Sequence, residues 1–324
     1  MRIFENPNYD FIRWRWHALA ASALVVVAGA VFMIARGGMP LGIDFTGGTI
    51  VVAKFEQAVE ADRVRQALET AVPGEKVIQS YGDAADNAVL IRLPQLAQEE
   101  GASLEKDARA VVDALTAAGL PKFEILSQEI VGPVIGRELQ LKGIYATLAS
   151  IVGIAIYIAF RFRPAFAIGA IVATLHDVLI TLAFLAFFGY DLSLNIVAAL
   201  LTITGYSVND TIVIFDRVRE NMRSMRRDPL EKVVNTAVNQ TLGRTVITAG
   251  TTFLSVLALF VFGGEVLHGF AFTMLVGIIS GTYSTVFIAA AIAIILGNRQ
   301  GVGAGAAVTA GGPAKVKAAT ARRS

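Results

Sequence analysis

Asp210 sits in an apolar surround. "LSLNIVAALLTIT" (Leu192–Thr204) leads toward it, Asn209 precedes it, and "TIVIF" (Thr211–Phe215) follows. An Asp or Arg in mid-hydrocarbon costs about 2.5–3.5 kcal/mol, so an ionisable residue at that depth reads first as a functional one. Arg244 opens a second apolar run, and Asp177, with His176 beside it, lies twelve residues into a third. The chemistry open to these residue types is ion handling. Burial disfavours the charged form of a carboxylate and a nearby cation favours it. A group balanced between the two can take a proton from one side and release it to the other when helices shift. Arg serves as a permanent counter-charge, because it does not deprotonate. For Asp177 a second role stands open: a structural lock, in which a protonated Asp is bonded to His176 or to a backbone carbonyl. Carboxylates near hydroxyls suit H⁺ or Na⁺, and the residues do not choose between them.

The elements that must position these groups are membrane helices. Of 324 residues, 55% are hydrophobic and 17% are charged, whereas soluble chains carry about 25% charge. The apolar residues cluster into six runs, each near the length a helix needs to cross ~30 Å of hydrocarbon. They predict spans at 18–35, 143–160, 165–188, 192–215, 245–262 and 270–297. The first has the charged start of a secretory signal, but it is long for one and "IARGGMP" is a poor cleavage site. Lys and Arg fall on alternate connections: Arg13 and Arg15, Arg161 and Arg163, Arg217 to Lys232, and the tail. Gly189–Asp191 and Gly263–Gly269 carry none. The bias predicts both termini in the cytoplasm. The remaining segments are then a cytoplasmic N-terminus at 1–17, an external domain at 36–142, a cytoplasmic connection at 216–244 and a disordered cytoplasmic tail at 298–324, Gly/Ala-rich and basic.

Helical spacing groups the polar residues of the spans. Asn195, Thr202, Tyr206 and Asn209 share one face of the fourth, with Asp210 four residues after Tyr206. Thr241, Arg244, Thr245, Thr248, Thr252 and Ser255 share a face of the fifth, and Thr174, Asp177 and Thr181 a face of the third. Thr273, Gly277, Ser280, Gly281 and Ser284 form a small-residue face on the sixth, suited to close helix packing at Gly277 and Gly281. Four such stripes predict a polar bundle interior. Antiparallel fourth and fifth spans would bring Asp210 and Arg244 to similar depth.

The insert between the first two spans reads β-α-β-β-α-β. Strands are expected at Thr49–Phe55, Glu75–Tyr81, Asn87–Leu93 and Lys122–Val131, with helices at Val59–Ala71 and Leu104–Gly119. That is a ferredoxin-like α+β domain on a polytopic α-helical membrane protein. The absence of Cys excludes thiol chemistry and disulfides. Three dispersed His residues give no zinc pattern, and no nucleotide loop or nucleophile–base motif points to an enzyme or to nucleic acid.

"GIDFTGG" (Gly42–Gly48), "GYSVNDTIVIFDRVREN" (Gly205–Asn221), "NQTLGRTVITAGTT" (Asn239–Thr252) and "FGGEVLHGFAFTMLVGIISGTYSTVF" (Phe262–Phe287) resemble the motifs of the SecF proteins, export subunits of the SecD/SecF family in the RND superfamily. The likeness runs from the first residues to about Gly297. It implies a bacterial inner-membrane protein that works with SecD beside the SecYEG channel and SecA, acts on translocating preproteins, and uses the proton-motive force with no cofactor. It implies that Asp210 and Arg244 form the intramembrane relay, with Asp177, His176 and Asn209 as secondary residues. It also implies that Gly42, Asp44, Gly47 and Gly48 form a junction at the exit of the first span. An efflux subunit of the RND class and a purely structural translocon subunit are the competing readings. With one six-span half in this sequence, SecD is expected as a separate chain.

Overall fold

The computed structural model describes residues 7–69, 71–72, 76–82, 86–94 and 101–299. The tail from residue 300 on, Met1–Asn6 of the N-terminus and Asp83–Ala85 between the second and third expected strands lie outside them.

Six helices are long and apolar enough to cross a membrane. The first is α1 (Arg15–Ala35), entered through a 3-10 turn at Ile12–Trp14. A short helix, α2 (Ile43–Thr46), then leads into the sheet domain. There β1 (Gly48–Phe55), α3 (Ala61–Glu69), β2 (Val77–Tyr81), β3 (Ala88–Pro94), α4 (Gly101–Ala117) and β4 (Phe123–Val131) follow the expected order. The strands lie β2-β3-β1-β4, with β1 antiparallel to both β3 and β4 and β2 antiparallel to β3. This is the split βαβ arrangement. Val64, Leu68, Val111 and Leu115 of the helices close over Val51, Phe55 and Ile91 of the sheet. The poor alternation of "TIVVAKF" has a physical cause. Ile50 and Val52 on the opposite face also have a neighbour, the connection between the third and fourth long helices, across a cleft of about 580 Å³. Arg92 of β3 forms an ion pair with Asp191 of that connection.

The remaining long helices are α5 (Pro133–Arg161), α6 (Pro164–Phe188), α7 (Leu194–Ser224) and α8 (Leu230–Phe262). The sixth crossing is α9 (Gly264–Ser284), a π-helical turn (Thr285–Ala289) and α10 (Ala290–Arg299). Proline in the first turn starts α5 and α6, where its missing N–H costs nothing. Gly189, left-handed at φ 76°, ends α6. The bundle core is built from α6, α7, α9 and α10. Small residues allow close approach there: a Cβ on Gly169 would stand 2.6 Å from the Ala289 carbonyl. By contrast α5 is a peripheral helix with an apolar outer face, its Phe160 90% exposed.

Two expectations need correction. The segment 216–244 is not a loop, because α7 continues to Ser224 and α8 begins at Leu230, leaving a connection of five residues. The helices of spans two and six likewise begin before 143 and 270, at Pro133 and Gly264. Hydropathy marks only the part of a helix that meets lipid. The polar extensions are stabilised by side-chain pairs such as Arg217–Glu220 and Asn221–Gln240. They also hold the N-terminal segment. Asn235 and Asn239, one turn apart on α8, bond the backbone of Tyr9 and Phe11.

Candidate functional site

The stripes predicted to line a common interior divide into two. Those of α6 and α9 are interior: Thr174, Asp177, Thr181, Thr273, Ser280 and Ser284 are all buried. Asp177 is 0% exposed and both its oxygens are matched. Ser280 Oγ donates to Oδ1 at 2.8 Å, and His176 Nδ1 lies 3.1 Å from the same oxygen. Ser207 Oγ and Ser284 Oγ donate to Oδ2 at 2.5 and 2.8 Å. The carboxylate thereby ties α6 to α7 and α9. Ser207 was absent from the sequence reading, because it lies on the opposite face of α7 from the stripe led by Asn195. The signal was available: Thr204, Ser207 and Thr211 sit at helical spacing, and Thr211 meets Thr285 at 3.0 Å. Gly277 and Gly281 belong to this interior. A Cβ on Gly277 would run into the Ile203 side chain, and one on Gly281 would stand 3.0 Å from Ser207 Cβ.

Most of the other two stripes faces outward, with Thr241 and Thr245 buried, which corrects the expectation of a single polar interior. On α7, Asn195, Thr202 and Asn209 are exposed; on α8, Arg244, Thr248 and Ser255 are exposed. A wheel shows which residues share a face but not which face meets a neighbour. Asp210 lies at the seam between α7 and α8. Its Oδ1 accepts from Thr245 Oγ1 at 2.8 Å, while Oδ2 is buried without a partner. Among the described residues Arg244 forms no ion pair with Asp210 or with any other carboxylate. One residue is about 100° of helix rotation. Thr245 is turned into the seam and Arg244 onto the outer face. Asn209 shares that outer face and makes no bond to Asp210. His176 has its Nε2 buried without a partner, beside a groove of about 370 Å³ between α1, α6 and α9.

The glycine motif is a junction. Gly47 and Gly48 have φ of 75° and 129°, conformations that exclude most side chains. A Cβ on Gly136 of α5 would stand 3.0 Å from the Gly47 nitrogen. The Gly42 amide donates to the Leu192 carbonyl at 2.8 Å. Asp44 Oδ2 accepts from the Leu194 amide at 2.8 Å, occupying the first turn of α7 as a capping carboxylate does.

This arrangement has known counterparts. The family described as "Protein export membrane protein SecD/SecF, C-terminal" matches residues 111–299, which contain Asp177, Asp210 and Arg244. The "SecD/SecF GG Motif" matches residues 32–59, which contain Gly42 to Gly48. The chain is 42% identical over 308 residues to the protein translocase subunit SecF of Magnetococcus marinus, covering 94% of this chain and 98% of that one. It is 40% identical over 293 residues to SecF of Escherichia coli O157:H7, covering 90% and 89%. The crystal structure of SecDF, a translocon-associated membrane protein from Thermus thermophilus, superposes with a TM-score of 0.79 at 38% identity over 91% of this chain. The chain spans 39% of that SecDF chain. From the matched motifs, the sheet topology and these relatives, the chain belongs to the SecD/SecF family of protein-export membrane proteins.

Proposed function

We propose that the chain is the SecF-type half of an inner-membrane assembly that couples proton movement to late steps of protein export. A SecD chain is its partner, and the SecYEG channel and SecA are the machinery it assists. Both termini then lie in the cytoplasm and the sheet domain outside. The observation that carries the reading is Asp210: one oxygen is held by Thr245, the other is buried and unpaired, and Arg244 stands nearby on an outer face. A carboxylate left half-satisfied in low dielectric is poised to gain or lose a proton. The outward polar lane of α7 and α8 supports a helical partner, since lipid offers those groups nothing to bond. The SecDF chain, with its additional length, is the kind of companion that would cover it. The coupling ion is H⁺ in this reading, with Na⁺ as the alternative.

The test replaces Asp210 by Asn in cells lacking the native pair and supplied with the partner. Secretion of a pulse-labelled periplasmic protein is followed while the variant's abundance is checked by blot. Collapse of secretion with the variant present and assembled supports a titrating carboxylate. Wild-type secretion removes it and leaves the scaffold reading.

A further inference from the structure

We propose that the arginine-rimmed pocket at the end of the bundle away from the sheet domain binds the headgroup phosphate of an anionic phospholipid. The pocket has a volume of about 420 Å³. Its rim is Arg161, Arg163, Arg219 and Arg223, and its floor is Phe162, Phe166, Phe215 and Met222. Phe162 and Phe166 stack edge-on against Phe215 with centroids 5.9 and 5.2 Å away, so the floor is rigid.

The charge is unbalanced. Arg161 is committed to Asp216 through bonds of 2.6 and 2.8 Å. The other nearby carboxylates have cations of their own: Glu220 takes Arg217, Asp228 takes Lys232 and Glu231 takes Arg15. Arg163, Arg219 and Arg223 are exposed and form no ion pair among the described residues. Arg219 and Arg223 are four apart on α7, a like-charge spacing that disfavours the helix unless an anion lies between them. Arg223 also complements the C-terminus of α7, and Arg163 and Arg219 contribute to the basic bias of this side without a carboxylate partner among the described residues. The N-terminus of α6 begins at Pro164, beside Arg163, and adds its positive end to the same pocket.

Position decides that the anion carries acyl chains. The exposed apolar surface of α5, with Tyr157 and Phe160, runs up to Arg161, which belongs to the pocket's rim. A phosphate seated on the arginines would lie at the edge of the hydrocarbon, with its chains along α5. Basic pockets between helix ends are the usual seat of such headgroups.

The test uses the purified full chain in neutral detergent, with melting temperature and quantified bound lipid as readouts. It is titrated with phosphatidylglycerol, phosphatidylcholine or inorganic phosphate. Only phosphatidylglycerol should raise the melting temperature saturably. The double variant Arg219→Gln/Arg223→Gln should need about 25-fold more of it, at about a factor of five for each arginine. Arg226→Gln/Arg227→Gln, outside the pocket, should need no more than wild type. If the pocket variant is not recovered folded, Arg163→Gln carries the test with about a fivefold loss. Equal losses in the two double variants would mean diffuse charge and overturn the site. An equal response to inorganic phosphate would mean a soluble anion, and an equal response to phosphatidylcholine would mean lipid without headgroup recognition. Either overturns the proposal.

Discussion

Asp177 and Asp210 lie on neighbouring helices of one bundle, and their surroundings are opposite. Asp177 has four polar groups within 2.5–3.1 Å, from three helices, and no exposure. Asp210 has one hydrogen bond and a bare second oxygen. Hydrogen bonds to a charged group contribute about 1.5–3 kcal/mol each. The first carboxylate is therefore tied to three helices, and the second keeps one oxygen untied. The contrast teaches that two carboxylates at depth in one bundle can differ completely in how many of their lone pairs are committed.

The comparison can be broken most directly at its static end. Asp177→Ala strands the hydroxyls of Ser207 and Ser280 and leaves Ser284 only the Gly281 carbonyl, and should lower the stability of the purified chain by at least about 3 kcal/mol. Asp210→Asn should change it by less than about 1 kcal/mol. Thermal unfolding of both in the same detergent decides the matter, and equal losses would end the distinction. The packing around each region sharpens it. Gly277→Ala pushes a methyl group into Ile203 on the interior side and should cost about 1–3 kcal/mol. Gly250→Ala on α8, where a Cβ meets nothing within 4 Å, should stabilise by about 1 kcal/mol through helix propensity. If Gly250→Ala stabilises the isolated chain but weakens its assembly with a partner, as read by co-purification, the side of α8 that carries Gly250 is a covered one.

The smallest effect lies outside the bundle, at Glu129 on β4. Burial first, and the charge of Asp44 second, raise its carboxyl above the usual range. The folded state then holds a proton that the unfolded state releases. Stability is undiminished below the unfolded value of about 4.3 and falls as pH rises through the raised one. Glu129→Gln should flatten that decline while leaving the melting temperature at pH 4 unchanged. A wild-type pH profile in the variant would remove Glu129 as the cause.

Much of this architecture was readable from the residues. The six apolar runs and the order of strands and helices in the sheet domain follow from periodicity and length. Three things were not. Helix ends such as Ser224 and Leu230 lie in polar sequence, where hydropathy has no signal. The outward turn of Arg244 depends on one residue's rotation relative to a neighbouring helix. The serine clasp on Asp177 depends on three helices meeting, and the spacing of Thr204, Ser207 and Thr211 marks a face of α7 without saying what that face meets. Local spacing encodes faces, and only tertiary contact assigns what each face meets.

The hydrogen bond from the Leu194 amide to Asp44 has a mechanical consequence. Helix α7 is 31 residues long, about 46 Å of stiff rod. Its first turn is fastened to the linker from α1 by Asp44, and the connection just before it is fastened to the sheet by Arg92 through Asp191. Asp210 lies sixteen residues further along, about 24 Å from that fastening. A rotation of about 5° about the fastened end displaces Asp210 by about 2 Å, most of a hydrogen bond's length. The sheet domain and the Thr245 contact of Asp210 thus bear on one rod, the first at its fastened end and the second about halfway along it.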